Sequence, residues 1–321
     1  MASETHSVTG RVAPEEAARI TRAMALMSVS VALLLIGIKT WAYLASGSVA
    51  MLSALADSTL DFAASLFTFF AVRYAAAPPD REHRYGHGKA EAFAGLFQAG
   101  LVLASAGIIV FEAVKHIVSP HPITHGAEGV VVMLVSIALT GALITAQTRA
   151  IRRTGSLATS GDRAHYAADL AANIVVIGGI AAGAFLQASW IDALAGLAVA
   201  GWLVWGAWGI ARAAGDHLMD REMSEADRAR IKALAMQDPA LGDVHDLRTR
   251  MSGPLVHIQF HADLDPDMTL EEAHRIVVAA ENRIREAFPA ADIIIHPDPK
   301  GRAEPHGHEY FSEGRRAEQS A

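Results

Sequence analysis

Two aspartates four residues apart, Asp57 and Asp61, lie in the oily stretch "ALADSTLDFAASLFTFF", Ala54 to Phe70. A carboxylate at the centre of a membrane helix costs roughly 2.5–3.5 kcal/mol on insertion scales, so a pair in one segment demands compensation. Helical spacing puts both on one face, and a rise of 1.5 Å per residue places Asp57 about 14 Å in from Ser48, near mid-bilayer. The nearest intramembrane cation, Lys39, lies close enough to the end of its segment to snorkel away, so a structural ion pair explains the aspartates poorly. A second pair, His165 and Asp169 in "HYAAD", repeats the spacing. Three carboxylates and one imidazole can hold a tetrahedral Zn²⁺ or another first-row divalent ion. Alone, a histidine four before an aspartate more often decorates a helix end.

Two further clusters carry ligand types. "DREHRYGHGKAEAF" holds Asp80, His83 and His87, with Gly86 and Gly88 giving turn freedom, and by itself reads equally as a polar loop. The C-terminal part holds His245, His257, His261, His274, His296 and Asp298. His257 and His261 share a strand face in "VHIQFH", and "HPDP" presents His296 and Asp298 at a strand end. So many imidazoles in a small domain without cysteine favour metal binding. His116, His121 and His125, and His306 and His308 in the tail, are assigned no role.

The elements that must position these groups follow from hydropathy. The 321 residues are 52% hydrophobic and 19% charged, with positive mean hydropathy, the balance of a membrane protein. Apolar stretches of spanning length run near Arg22–Leu44, Ser48–Tyr74, Ala90–Ile117, Gly129–Thr148, Ala167–Gln187 and Ala188–Arg212. The first twenty residues lack the basic head and apolar core of a cleavable signal peptide. The fifth stretch must begin earlier, near Leu157, for His165 to reach the depth of Asp57; Asp162 and Arg163 are then expected to line a wet cavity. Lys and Arg gather in alternate loops, which predicts both termini in the cytoplasm. The absence of cysteine leaves His, Asp and Glu as ligands, and a net charge of −7 gives no footprint for nucleic acid.

Beyond about Asp216 the composition is that of a soluble domain. "SEADRARIKALAMQ" has helical spacing and "VHDLRTRMSG" and "LVHIQFHADL" read as strands. "TLEEAHRIVVAAENRIREAF" is an amphipathic helix with a Thr269/Glu272 capping-box pattern, and "ADIIIHPDP" ends the unit as a strand. The expected organisation is an N-terminal tail 1–21, a membrane all-α six-helix bundle 22–212, a linker 213–222, a cytoplasmic α+β domain 223–300 of αββαβ order and a disordered tail 301–321.

Taken jointly, these motifs resemble the cation diffusion facilitator family, in its bacterial zinc and ferrous-iron efflux branch, over nearly the whole chain. The resemblance implies that "ALADSTLD" and "HYAAD" form the transport site, with Asp57, Asp61, His165 and Asp169 as ligands. It makes Asp80, His83 and His87 a loop site. "HDLRTRMSGP", "IQFH", "EEAH" and "IIIHPDP" match a binuclear cytoplasmic site, with ligands His245, His261, His296 and Asp298 and with His274 as ligand or orienter; His257 matches no ligand. It further implies a homodimer in the bacterial inner membrane with metallochaperone-like cytoplasmic domains, and an interlocking salt bridge of Lys89 with Asp220.

The expected activity is efflux of a divalent cation by proton antiport, because ligands must lose protons before metal binds. Zn²⁺ is favoured, with Cd²⁺ or Fe²⁺ as other cargoes, serving also as the regulatory ion, and no catalytic cofactor is expected. A manganese-selective member of the family and a membrane-anchored metal sensor without transport are the competing readings. An enzyme is not expected, since no H-E-x-x-H-like motif accompanies the ligands.

Overall fold

The structure is a computed structural model that describes residues 12–47, 49–118, 127–186 and 189–302. The first 11 residues, the tail from 303 with His306 and His308, and the loop containing His121 and His125 lie outside the described residues, and the side chain of His116 is likewise not described.

Six long helices come first: α1 (Pro14–Ser46), α2 (Val49–Ala75), α3 (Ala90–Val118), α4 (Ala127–Thr154), α5 (Leu157–Leu186) and α6 (Ser189–Leu218). Among the described residues, windows long and apolar enough to cross a membrane occur in α1, α2, α3, α4 and α6. α5 is 30 residues long, but its first half carries Asp162, Arg163, His165 and Asp169. Helices suit a lipid solvent because each satisfies its backbone groups internally. Their faces are sorted inside out relative to a water-soluble bundle. Small and polar residues turn inward, as along α4, where Ser136, Thr140, Leu143, Gln147, Ala150 and Thr154 are buried at helical spacing. Large apolar side chains such as Trp41, Leu60, Phe70, Phe111, Trp205 and Trp208 are exposed, as suits hydrocarbon surroundings. Without a hydrophobic drive between helices in lipid, small residues allow the close packing that holds the bundle.

α1 packs along α2 and α3 along α6; α5 lies against α3, α4 and α6 and touches α1 and α2 much less. The start of α5 at Leu157 agrees with the extension required by the placement of His165. The wet cavity does not: Asp162 is 1% exposed and wrapped in protein side chains.

The chain then forms α7 (Glu225–Ala235), β1 (Val244–Ser252), β2 (Leu255–Leu264), α8 (Leu270–Ala287) and β3 (Ala291–Pro299), the expected αββαβ order. The sheet runs β1-β2-β3, with β1 antiparallel and β3 parallel to β2. Alternation decides its faces: Val256, Ile258, Phe260, Ala262 and Leu264 of β2 point into the core with Ile231 of α7 and Val277, Ala280 and Ile284 of α8. The alternate residues, including His257 and His261, lie on the other face. α8 starts with the expected capping box, Thr269 Oγ1 accepting from the Glu272 amide and the Glu272 carboxylate accepting from the Thr269 amide. Those backbone and hydroxyl donors hold the Glu272 carboxyl below its usual range.

The α+β domain meets the bundle at the α2–α3 loop. A Cβ on Gly88 would lie 2.0 Å from the Ser252 carbonyl oxygen, and Gly253, at φ +59°, faces Gly88 across the same contact. Only glycine lets two backbones approach this closely. Around this contact Lys89 pairs with Asp220 at 3.0 Å, Arg250 reaches Asp220 at 3.6 Å, and the Arg250 guanidinium lies 4.2 Å over the Tyr85 ring.

Candidate metal centres

α2 and α5 build the first cluster. His165 Nε2 lies 3.1 Å from Asp61 Oδ1 and 3.9 Å from Asp169 Oδ2. The i, i+4 spacing on α5 aims His165 and Asp169 the same way, and the crossing with α2 brings in Asp61. Ligand atoms of these three residues all lie within 4.8 Å of one another. His165 Nδ1 and Asp169 Oδ2 are buried without a hydrogen-bond partner among the described residues. Such orphaned atoms are costly in a dry interior unless something satisfies them. Asp57 does not join this group: it lies one helical turn away on α2 and is exposed. The turn that puts it on the same face as Asp61 also separates the two along the axis by about 6 Å.

Lys39 departs from the expectation that it would snorkel away. Its ammonium turns into the bundle and donates to Ser58 Oγ at 2.6 Å, within electrostatic reach of Asp61, Asp169 and Asp57. The hydroxyl between the two aspartates offers it an acceptor inside the bundle.

Asp162 is not among the expected ligands, yet it is the most densely hydrogen-bonded carboxylate among the described residues of the bundle. It accepts from Ser28 Oγ of α1 at 2.5 Å, Ser65 Oγ of α2 at 3.3 Å, Gln98 Nε2 of α3 at 3.4 Å and Gln147 Nε2 of α4 at 2.8 Å. The hydroxyl of Tyr166 lies 2.9 Å from that of Ser65 and donates to the Ser28 carbonyl at 3.1 Å. The sequence signal that could have revealed this network is weak: each of these helices carries more than one Ser, Thr or Gln, and nothing local distinguishes Ser28, Ser65, Gln98 and Gln147 from the others.

The second cluster lies in the α2–α3 loop. Asp80 accepts backbone hydrogen bonds from Glu82 at 2.9 Å and His83 at 2.6 Å, which fold the loop onto its own carboxylate. His87 Nε2 and His83 Nδ1 lie 3.2 and 3.5 Å from the Asp80 carboxylate oxygens. The ring of His87, buried against Tyr74, points Nδ1 at the Ala77 carbonyl at 3.3 Å. The His83 amide, above all, holds the Asp80 carboxyl below its usual range.

The third cluster sits on the sheet face opposite the helices. Register pairs His245 with His261 and His261 with His296, so three imidazoles line up across three strands. Asp298 gathers them: His261 Nδ1 lies at 2.9 Å, His245 Nε2 at 3.2 Å and His296 Nε2 at 3.3 Å from its oxygens. Burial would raise the Asp298 carboxyl, but the hydrogen bond from His261 and the charges of His261, His296 and His245 outweigh it and hold the group low. His245, His261 and Asp298 form the tight set, with the more exposed His296 at its edge. His274 is exposed on α8 and is not one of the residues of the tight set; one helical turn into α8, it belongs to the layer behind the sheet. His257 is instead 5% exposed, pairs with Asp292 at 3.2 Å and packs edge-on against Tyr85 of the loop.

A six-helix bundle with an acid and imidazole cluster between two of its helices, joined to a small α+β domain with another, defines a multi-pass membrane protein of metal-handling type. The chain belongs to the cation diffusion facilitator family, in its zinc and ferrous-iron efflux branch. Residues 25–219 match the cation efflux transmembrane domain and residues 223–300 the cation efflux protein cytoplasmic domain. The chain is 41% identical over 272 residues to the cation-efflux pump FieF of Shewanella oneidensis, a match covering 85% of this chain and 92% of that one. It is 38% identical over 282 residues to FieF of Klebsiella pneumoniae, covering 86% and 91%. FieF of Yersinia enterocolitica is 37% identical over 287 residues, covering 88% and 94%.

Proposed function

We propose that this protein exports divalent metal cations, zinc foremost, from the cytoplasm by exchange for protons. The observation that carries this reading is the convergence of Asp61, His165 and Asp169 from two helices inside the bundle. Asp61 and Asp169 supply oxygens and His165 a nitrogen, a donor set that suits Zn²⁺, Cd²⁺ and Fe²⁺. Asp57 supplies the fourth donor when the two helices draw in around the ion. An imidazole among the ligands favours zinc over manganese, which prefers oxygen donors alone.

Proton coupling follows from sharing of sites. Each ligand binds either a proton or the metal, so loading expels protons and reprotonation expels metal. Imidazole titrates nearest physiological pH and is the natural exchange point. With the basic loops and both termini in the cytoplasm, the loop and sheet clusters face the metal supply. Asp80 with His83 and His87, and Asp298 with His245, His261 and His296, are read as regulatory sites that respond to cytoplasmic metal. In this reading the protein is a homodimer of the bacterial inner membrane, with Lys89 and Asp220 clamping each subunit's soluble domain to its bundle.

The test is zinc uptake into proteoliposomes under an imposed pH gradient. His165→Ala or Asp61→Ala is expected to abolish flux while leaving fold and assembly intact; retained flux refutes the site. His261→Ala is expected to blunt the response to metal concentration without stopping transport. A sensor without transport would move no zinc at all.

A further inference from the structure

We propose that Asp263 is the outer partner of the sheet cluster, a positioning residue that accepts the Nδ1 proton of His245 and so aims His245 Nε2 at the metal. The proposal rests on the reading of that cluster as a metal site, and it adds a carboxylate that the ligand pattern of the sequence does not contain.

Strand alternation places Asp263. It lies two residues beyond His261 on β2, so both side chains leave the same face of the sheet. Parallel register sets it beside Asp298 of β3. Towards β1, its amide donates to the Asp243 carbonyl at 3.0 Å and its carbonyl accepts from the Gly242 amide at 2.8 Å. The backbone is therefore fixed, and the side chain stands over the end of the imidazole row. Its Oδ1 is buried and has no hydrogen-bond partner among the described residues. Such an oxygen is costly unless a donor reaches it. Among the described residues no Lys or Arg pairs with Asp263, and the group that faces Oδ1 is His245 Nδ1 at 3.9 Å.

The ring of His245 stands between two carboxylates, with Nε2 3.2 Å from Asp298 and Nδ1 3.9 Å from Asp263. A neutral imidazole carries one proton, and only its bare nitrogen can bind a metal. Nε2 is turned towards Asp298, where His261 and His296 also converge. Nε2 thus goes to the ion and Nδ1 keeps the proton, which then points at Asp263. The present separation is about 1 Å longer than a hydrogen bond; a small tilt of the ring, which is 30% exposed, closes it. Metal-bound histidines characteristically donate their second nitrogen to a carboxylate or carbonyl, which fixes both tautomer and ring direction. Asp263 lies outside the tight set of His245, His261 and Asp298, so it acts on the ion through His245.

The test is a double-mutant cycle in the full-length protein in detergent micelles at one pH, with Zn²⁺ for affinity and Co²⁺ as spectroscopic probe. The signal of the sheet is the part that His261→Ala removes. Asp263→Ala is expected to weaken zinc at the sheet by roughly 10–100-fold. At saturation the Co²⁺ absorption bands of the sheet should keep their positions, because the ligands are unchanged. Asp263→Asn keeps an uncharged acceptor and is expected to lose about threefold. With His245→Ala already in place, Asp263→Ala should lower affinity no further, since the residue it acts through is gone. Unchanged affinity in both Asp263 variants overturns the proposal. Shifted Co²⁺ bands overturn it by making Asp263 a ligand. An equal loss with and without His245 also overturns it, by reducing Asp263 to a structural role. If Asp263→Ala does not fold, Asp263→Asn decides in the same cycle. A His261→Ala protein that takes up as much metal as the parent sinks the metal-site reading of the sheet and this proposal together. Metal held at the sheet but indifferent to Asp263 sinks the proposal alone.

Discussion

At the scale of single residues, contacts separate groups that composition treats alike. Asp57 and Asp61 occupy equivalent places in the sequence pattern, but only Asp61 touches His165. Asp57→Asn is therefore expected to weaken zinc binding at the intramembrane site by roughly tenfold, about 1.4 kcal/mol, and Asp61→Asn by considerably more. Titration calorimetry of the two variants checks the order. His257 offers a pH test outside the proposed ligands. Burial first, then the neighbouring Arg250, lowers its affinity for a proton, against smaller opposing effects of Asp292 and Asp220. A depressed pKa means that His257 contributes stability above its unfolded value of 6.5, and that this is lost as pH falls through the lower folded value. Melting curves of the full chain should accordingly lose stability from pH 6.5 downward, and His257→Gln should flatten that loss. An unchanged slope would remove His257 as its source.

At the scale of elements, the loop between α2 and α3 is both a ligand cluster and a joint. Gly88 and Gly253 allow it to lie on the β1–β2 turn, and Tyr85 bridges the loop to Arg250 and His257. Gly88→Ala forces a Cβ into the Ser252 carbonyl, and overpacking of this kind costs about 1–3 kcal/mol. The expected result is faster hydrogen exchange in the β1–β2 turn with the helices of the bundle unaffected. The salt bridge beside it is a weaker fastener: Lys89 and Asp220 are 37% and 38% exposed, and half-exposed pairs contribute about 0–1 kcal/mol. Asp220 also has φ +55°, a conformation that Asn tolerates, so Asp220→Asn removes the charge while keeping the turn. That variant is expected to melt within a few degrees of the parent.

At the scale of the whole molecule, the clusters occupy separate elements and share no ligand. One lies between α2 and α5, one in the α2–α3 loop and one across the sheet. Their metal binding should be separable. His245→Ala with His261→Ala is expected to remove the metal bound by the sheet and leave that of the bundle, so calorimetric stoichiometry falls while transport at saturating zinc persists. A simultaneous loss at both sites would mean that the sheet cluster holds the bundle in its binding form, since sites without shared partners otherwise behave additively.

Hydropathy and strand alternation were enough to read the six helices, the αββαβ order and the residues that form clusters, because spanning length, burial on alternate strand residues and the spacing of ligands are local properties of the chain. The early start of α5 was legible too, since His165 has to reach the depth of the aspartates on α2. Other features depend on which side chain faces which across helices distant in sequence. The network of Asp162 with Ser28, Ser65, Gln98 and Gln147, the inward turn of Lys39 to Ser58 and the separation of Asp57 from its neighbours are of this kind. In a membrane, hydrophobicity selects no partner for a helix face, so sequence determined which segments cross. Only tertiary packing, through small residues and buried hydrogen bonds, decided how they are rotated and what they join.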